Sequence, residues 1–488
     1  MINKIARYCM FFMTFAVLHT MHSCSDFDEM NRDPNQMDQV NPGMLLNPVL
    51  YNMAIYNWKR SEGYTLELMQ AVVPTNSTGG VSRYFISETA GDGTWTTYYR
   101  WLMNIRQMEK MATGLNEVNY QAVAKTLHAW VFQLATDCFG DVPYTEACRG
   151  DEQLFNPKFD KQRYIYATLI EELGVANKLF DESAGLKYNT DGDLLYNTSA
   201  LLVSNKSEGI LKWRKFCNSL RLRLLVRSME AMSGNAEIIR TMLDNPVEYP
   251  MFESNDDAAL LSLTGVFPQE PPMARPQDLT SYRAMASFFI DPLNAWNDPR
   301  LPVFSTTVKD PETNQNIYLG WESGYEIAPS YSASNINQNL AKAPMKIVLM
   351  SYAEVEFIKA ELALKGIVAG LAAGESYRKG TEAAIAQWGL DVPEDYFERP
   401  GVTFDGSMEQ IMLQKYYALF FCDYQAWFEY NRTGLPAIPR GSGVPAGNEM
   451  PRRFKYPATV QRTNMANYKE AVASMGGDNF SIRLFWQR

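Results

Sequence analysis

Apolar residues recur at helical spacing along most of the 488-residue chain, and this periodicity constrains the fold more than any other feature. Side chains three or four positions apart lie on one face of an α-helix, so each such run predicts a helix with one buried face. The five clearest runs are Leu102, Ile105, Met108 and Ala112; Leu127, Val131, Leu134 and Cys138; Tyr166, Ile170, Leu173, Asn177 and Phe180; Trp213, Cys217, Leu220 and Leu224; and Val348, Tyr352, Val355, Ile358 and Leu362. They predict a mostly α protein, compatible with degenerate helical repeats that stack side by side.

The segment 411–430 carries aromatic residues on nearly every side of the helix that its pattern predicts. Its aromatic residues include Tyr416, Tyr417, Phe420, Phe421, Tyr424, Trp427 and Phe428. A helix that is apolar all round has to be covered on all sides. We therefore expect one central helix here.

Residues 246–343 interrupt the helical pattern. This stretch holds eleven of the 25 prolines, and proline removes a backbone donor and blocks helix interiors. We expect loops, short helices and short strands, and loops of this length inside a compact protein are usually functional. We therefore predict that this irregular region faces a ligand.

The N-terminus has the form of a secretion signal. Lys4 and Arg7 precede an apolar run at 9–18, which is too short to span a membrane, and Ser23-Cys24 resembles the cleavage box of bacterial lipoproteins. We predict a lipoprotein signal peptide at 1–23, lipidation of Cys24, and a lipid anchor and tether at 24–45. The alternative is an ordinary secretory signal cut nearby, with Cys24 a free thiol. No later stretch approaches 18 uninterrupted apolar residues.

Charge and histidine content exclude several classes of function. The net charge of −10 argues against a nucleic-acid binder, whose surface must be basic. Only His128 remains after the predicted signal peptide, which excludes a multi-histidine metal site within one chain, and we interpret it as a packed, hydrogen-bonded side chain. We interpret the basic segment 212–227 as a helix whose arginines meet acidic neighbours, the alternative being a polyanion or membrane-surface helix. The sequence contains no G-x-S-x-G, H-E-x-x-H or Walker A motif.

No cofactor is predicted. Asn189, Asp191 and Asp193 begin like a calcium-binding loop, but Leu194 occupies the position that needs glycine. A surface turn is the favoured interpretation, and adventitious or structural calcium is the alternative. A disulfide between Cys138 and Cys148 is likewise a less favoured alternative to two free thiols.

Aromatic residues among flexible neighbours are the best candidates for ligand contact. Trp and Tyr rings stack on the apolar face of a sugar, while Asn, Asp and Arg bind its hydroxyl groups. The irregular region supplies Trp296, Trp321, Tyr325 and Tyr331, and the loop 73–93 supplies Arg83 and Tyr84. Core packing is the competing interpretation for any single ring.

The chain resembles the SusD/RagB-type nutrient-binding outer-membrane lipoproteins of Bacteroidota. Segments that carry the resemblance follow in order along the chain. They are Ser23-Cys24, RDPNQMDQVNPGMLL (32–46), AKTLHAWVFQLATDCFGDVPYTEA (124–147), RYIYATLIEELGVANKLF (163–180), LKWRKFCNSLRLRLLVR (211–227), NDPRLP (297–302), PMKIVLMSYAEVEFIKAELALKG (344–366), QKYYALFFCDYQAWFEYNRTGLP (414–436) and RRFKYP (452–457). Two positions depart from the family pattern: Asn431 stands where arginine is expected, and Met21 replaces the usual leucine of the lipoprotein box.

The resemblance implies a fold, an activity and a location. The fold is mostly α, with tetratricopeptide-like helix pairs in a right-handed superhelix and an irregular, loop-rich subdomain, here within 46–488. Members are not enzymes; they bind oligosaccharides, peptides or other nutrients at the outer membrane and sit as a lid on a SusC-like TonB-dependent transporter. We therefore expect a lipid-anchored protein that faces the cell exterior and binds a nutrient, with glycan the favoured class. The alternatives from other classes are a helical glycosidase or lyase and a helical scaffold without a small ligand.

Overall fold

The computed structural model describes residues 40–199, 206–310 and 312–487. Its helices are α1 (Pro42–Arg60), α2 (Leu66–Leu68), α3 (Asp92–Gly114), α4 (Val118–Phe139), α5 (Gln162–Leu179), α6 (Lys206–Arg227), α7 (Asn235–Asp244), α8 (Ser287–Ala295), α9 (Leu301–Phe304), α10 (Tyr352–Leu364), α11 (Ala373–Ala386), α12 (Met408–Ala418), α13 (Gln425–Thr433), α14 (Ala458–Thr463) and α15 (Met465–Met475). A π-helical turn at Ser61–Thr65 joins α1 to α2. The mostly α prediction is confirmed.

The strands of the described residues are short and form four antiparallel two-stranded ribbons. They are β1 (Val72–Pro74), β2 (Val142–Pro143), β3 (Phe159–Asp160), β4 (Ala259–Leu263), β5 (Arg283–Met285), β6 (Val308–Lys309), β7 (Asn316–Ile317) and β8 (Met345–Met350). The pairs are β1–β5, β2–β3, β4–β8 and β6–β7. Residues 246–343 thus contain the loops, short helices and short strands expected there.

Successive long helices pack against one another along the first half of the chain. α3 packs on α4, α4 on α5 and α5 on α6, and further along α10 packs on both α11 and α12. The apolar stripes predicted for α3 to α6 are buried in these contacts. Local capping sets several boundaries: the Ser351 hydroxyl accepts from the Glu354 N–H at the start of α10, and Gly434 ends α13 with a φ of 76°.

Two predicted helices differ from the observed ones. The helix predicted from the apolar run Val348 to Leu362 begins too early. Val348 lies in β8, and the helix starts at Tyr352. The single central helix predicted over 411–430 is wrong as well: α12 ends at Ala418 and α13 begins at Gln425. Phe421 and Asp423 adopt positive φ angles of 61° and 35° between them, a backbone region that no helix interior uses.

The N-terminal predictions fall mostly outside the described residues. The signal peptide 1–23 and Cys24 lie there entirely, and so does most of the predicted tether 24–45. The last six residues of that range are described, and four of them belong to α1, which begins at Pro42. Within the part of the chain that the structure describes, no helix is both long and apolar enough to cross a membrane.

Buried ion pairs connect the helices of the centre. Arg227 of α6 donates to Asp137 of α4 at 2.8 Å and to Glu429 of α13 at 3.1 Å. Arg432 of α13 donates to Glu361 of α10 at 2.6 Å. Burial raises the pKa of the Glu361 carboxyl, but the charge and hydrogen bonds of Arg432 outweigh burial and bring that pKa to about 2. The pairs of Arg227, together with Arg214–Glu182 and Arg223–Glu354, show that arginines of the basic segment 212–227 meet acidic neighbours.

Candidate ligand-binding site

Three loops pack against one another beside the β1–β5 ribbon, and we call them the loop cluster: residues 73–91, 318–335 and 440–451. The Gly443 N–H donates to the Gly324 carbonyl at 2.8 Å, and the Asn448 amide donates to the Arg83 carbonyl at 3.0 Å. Gly324 has a φ of 69°, which glycine adopts without strain. These contacts bring together residues that are 119 and 365 positions apart in the chain.

Arg83 holds two of these loops together. Its guanidinium donates to the Tyr325 carbonyl and, at 3.2 Å, to the Glu326 carbonyl. The same group lies 5.8 Å from the centre of the Tyr325 ring, within the range of a cation–π contact. The structure therefore gives Arg83 a positioning role within the loop cluster.

Trp321 and Tyr325 form a small core beneath the loops. Their rings meet edge to face at 5.6 Å, with 9% and 4% of each residue exposed, and they pack with Val73, Ala284 and Ala286. The Trp321 Nε1–H donates to the Tyr331 carbonyl at 3.1 Å, and the Tyr325 hydroxyl donates to the Pro74 carbonyl at 3.0 Å. Both rings are buried, as the competing interpretation of core packing expects, because they supply apolar surface over which the loops can close.

The other two predicted rings lie in different surroundings. Trp296 lies outside the loop cluster at the end of α8, is 7% exposed and packs edge-on against Tyr417 at 5.9 Å. It is therefore buried, as the competing interpretation of core packing expects. Tyr331 belongs to the cluster and is 39% exposed, with its hydroxyl donating to the Gly320 carbonyl at 3.1 Å. Of the four rings predicted in 246–343, Tyr331 alone offers a substantial exposed surface.

Tyr84 lines an open cleft of about 420 Å³ at the edge of the loop cluster, which we call the Tyr84 cleft. Its lining residues come from three segments: Tyr84 and Ile86; Gly447, Asn448, Glu449, Met450 and Pro451; and Asn479, Phe480 and Ser481. Tyr84 has a φ of 57°, a strained backbone region for a bulky residue and one that tends to occur at functional sites. Burial raises the pKa of Tyr84, and its neutral phenol can donate a hydrogen bond.

The Tyr84 cleft combines the groups that a polar ligand with apolar faces needs. Two half-buried rings, Tyr84 and Phe480, line the cleft. The amides of Asn448 and Asn479 and the exposed carboxylate of Glu449 line it as well. Rings can stack on apolar C–H faces, and amide and carboxylate groups can bind hydroxyls. Sequence reasoning found Tyr84 but missed the other four, and none of the lining residues comes from 246–343.

The sequence alternatives of a calcium loop at 189–194 and of a disulfide between Cys138 and Cys148 can be compared with the local structure. No group of three or more His, Cys, Asp or Glu side chains among the described residues is placed to hold a metal ion. The Asp193 carboxylate accepts backbone N–H groups of Leu195, Tyr196 and Thr198, which makes the segment a hydrogen-bonded turn. Cys138 and Cys148 are free thiols.

His128 is packed in the helical part of the molecule, as predicted. Its Nδ1 lies 2.8 Å from Glu172 Oε2, and its ring packs edge-on against Phe132 at 4.7 Å. Burial lowers its pKa, but the neighbouring carboxylate of Glu172 outweighs burial and the pKa is raised. A histidine paired in this way has the features of a structural ion pair.

Comparison with known families decides the classification. Residues 34–457 match the model of a SusD-like family that is described as starch-binding and associating with the outer membrane. The chain belongs to the SusD-like family. The predicted family is thereby confirmed, together with the association of its members with the outer membrane and their role in nutrient binding. A search of curated proteins found no significant match.

Solved structures of the family share the fold over nearly the whole chain. A chitin-binding protein is 26% identical with a TM-score of 0.77, and a SusD homologue from Bacteroides fragilis is 25% identical with a TM-score of 0.77. An outer-membrane protein from Bacteroides vulgatus, described as probably involved in nutrient binding, is 22% identical with a TM-score of 0.76. Each likeness covers 92% of this chain and 100% of the other. The predicted fold with tetratricopeptide-like helix pairs is confirmed.

The departure at Asn431 is accommodated within this fold. The Asn431 amide donates to the Pro451 carbonyl at 3.3 Å, and its oxygen accepts from Arg452 at 3.2 Å. Asn431 thereby connects α13 to the segment that carries the lining residues Met450 and Pro451 of the Tyr84 cleft.

Proposed function

We propose that this protein captures glycans at the outer face of the outer membrane and delivers them to a SusC-like TonB-dependent transporter. A lipid on Cys24 would anchor the protein, and no catalytic step is needed for this role. The observation that carries the proposal is the Tyr84 cleft in a member of the SusD-like family: two rings beside amide and carboxylate groups in an open site. An open cleft suits a protein that must also release its ligand.

The ligand class follows from chemistry and from relatives. Aromatic faces with amide neighbours suit sugar rings, whose C–H faces are apolar and whose rims carry hydroxyls. One structurally similar protein is named as chitin-binding, and the family is described as starch-binding. Oligomers of N-acetylglucosamine and of glucose are therefore the first ligands to test.

Affinity electrophoresis tests the proposal directly. The purified protein is run through gels that contain single polysaccharides, and each mixture is also analysed for shortened products. We expect retardation by at least one glycan without products. Products would contradict the binding role and favour the glycosidase or lyase, whereas no retardation by any glycan would contradict glycan as the nutrient class.

Attachment to a transporter requires a separate test. We expect a chromosomally tagged protein to co-purify with a TonB-dependent barrel from detergent-solubilised outer membranes. Purification free of any barrel protein, from membranes in which the tagged protein is abundant, would contradict delivery to such a transporter.

A further inference from the structure

A second cavity lies away from the Tyr84 cleft and shares no residue with it. It has a volume of about 620 Å³, within the range of small-molecule sites. Its walls come from the β4–β8 ribbon, α1, the start of α9, the turn at 337–340 and the end of α11. Its lining residues are Trp58, Ser262, Leu263, Thr264, Pro302, Val303, Asn337, Asn339, Leu340, Pro344, Met345, Lys346, Val348, Gln387, Trp388, Gly389 and Phe421.

The floor of this cavity is apolar and already packed. The Trp58 and Phe421 rings are stacked at 5.0 Å with an angle of 11° between their planes, and only 2% and 4% of the two residues are exposed. The half-buried Trp388 packs edge-on against Phe304 at 5.2 Å. A preformed apolar floor favours a ligand with an apolar body, because little side-chain freedom is lost on binding.

Lys346 is the charged residue among those that line this cavity. Lys346 is exposed on β8 and pairs in register with Ser262 on β4. Across the described residues, no carboxylate lines the cavity and no ion pair of Lys346 is found.

We propose that this cavity binds a small amphiphile with an apolar chain and a single carboxylate. The chain lies over the Trp58–Phe421 floor, and the carboxylate pairs with the ammonium group of Lys346. A neutral sugar fits less well, because most of the lining surface is apolar and the charged group among the lining residues is a cation. This role is separate from the proposed glycan binding and does not depend on it.

Calorimetric titration with decanoate tests the proposal, with 1-decanol as the uncharged probe. We expect saturable binding of one decanoate per chain. Lys346→Met removes the charge but keeps a long side chain, and should weaken decanoate binding roughly three- to tenfold while leaving 1-decanol binding unchanged. Lys342→Met is the matched control, because Lys342 is exposed on the same segment but does not line the cavity.

A blocking variant locates the site. Ser262 is an exposed strand residue that lines the cavity, so Ser262→Trp should fill the cavity at a position that accepts an aromatic residue and abolish binding of both probes. Absence of saturable decanoate binding by the parent protein overturns the proposal. So does full binding by a folded Ser262→Trp variant, or equal weakening by Lys342→Met and Lys346→Met. If Ser262→Trp does not fold, the comparison of the two lysine variants decides alone.

Discussion

Asp423 is a buried carboxylate whose charge should destabilise the folded protein. It is 1% exposed in the turn between α12 and α13, where Oδ1 accepts from the Tyr424 N–H at 2.5 Å and from the Gln425 amide at 3.0 Å. Oδ2 is buried with no hydrogen-bond partner among the described residues. Burial raises the pKa of Asp423 from 3.8 to about 6, although the charge of Arg223 lowers it. This rise in the pKa of Asp423 corresponds to a change of about 3 kcal/mol in the free energy of unfolding.

The sign of the pH dependence follows from the raised pKa. The folded protein holds this proton more tightly than the unfolded chain does, so the stabilisation is complete below about pH 4 and is lost as the pH rises through 6. Asp423→Asn keeps the acceptor oxygen and tolerates the positive φ, but it never carries the charge. We therefore expect the variant to exceed the parent in free energy of unfolding by up to about 3 kcal/mol at pH 7.5 and by little near pH 4.

Urea unfolding followed by circular dichroism at pH 4, 5, 6 and 7.5 measures this difference. The control is Asp391→Asn, the same substitution at an exposed position. A difference between Asp423→Asn and the parent that does not vary with pH would refute the reasoning, and so would an Asp423→Asn variant that is less stable at pH 7.5.

Three further changes test the buried core and the anchor. Arg432→Met leaves the carboxylates of Glu361 and Glu429 buried without this partner. The variant should therefore lose about 3–5 kcal/mol of free energy of unfolding in urea titrations at pH 7.5. A loss below about 1 kcal/mol would contradict a structural ion pair. Trp321→Ala should cost about 3 kcal/mol of stability because its ring is core, and a thermal midpoint equal to that of the parent would show that it is not. Cys24→Ala should abolish labelling by radioactive palmitate, and continued incorporation would contradict lipidation at this cysteine.

The helical part of the fold was predictable because its signal is local. Leu102, Ile105 and Met108 share one face of α3 whatever the rest of the chain does, and all three are buried. The break between α12 and α13 was not predictable in this way. Phe421 and Asp423 are ordinary helix-compatible residues in sequence, and their positive φ angles depend on packing against Trp58 and on the buried turn.

The candidate site was predictable only where an aromatic residue lies among small, flexible residues in the sequence. Tyr84 stands out because it lies among glycine, serine and threonine, and it lines the cleft. Trp321 and Tyr325 have similar neighbours but are buried, since irregular segments need apolar rings to close over just as helices do. Asn479 and Phe480 carry no local signal, because almost 400 residues separate them from Tyr84 and the fold alone brings them together.

Calorimetric titration of Tyr84→Ala with the glycan that retards the parent protein tests the central claim most directly. If Tyr84 stacks on the sugar, its removal should weaken binding roughly ten- to hundredfold, the scale of a lost stacking contact or buried hot spot of about 1–3 kcal/mol. Phe267→Ala is the control, because this ring is 81% exposed and lies outside the cleft. We predict that Phe267→Ala binds as the parent does. Parent-like affinity in a folded Tyr84→Ala variant would contradict the assignment of the Tyr84 cleft as the glycan site.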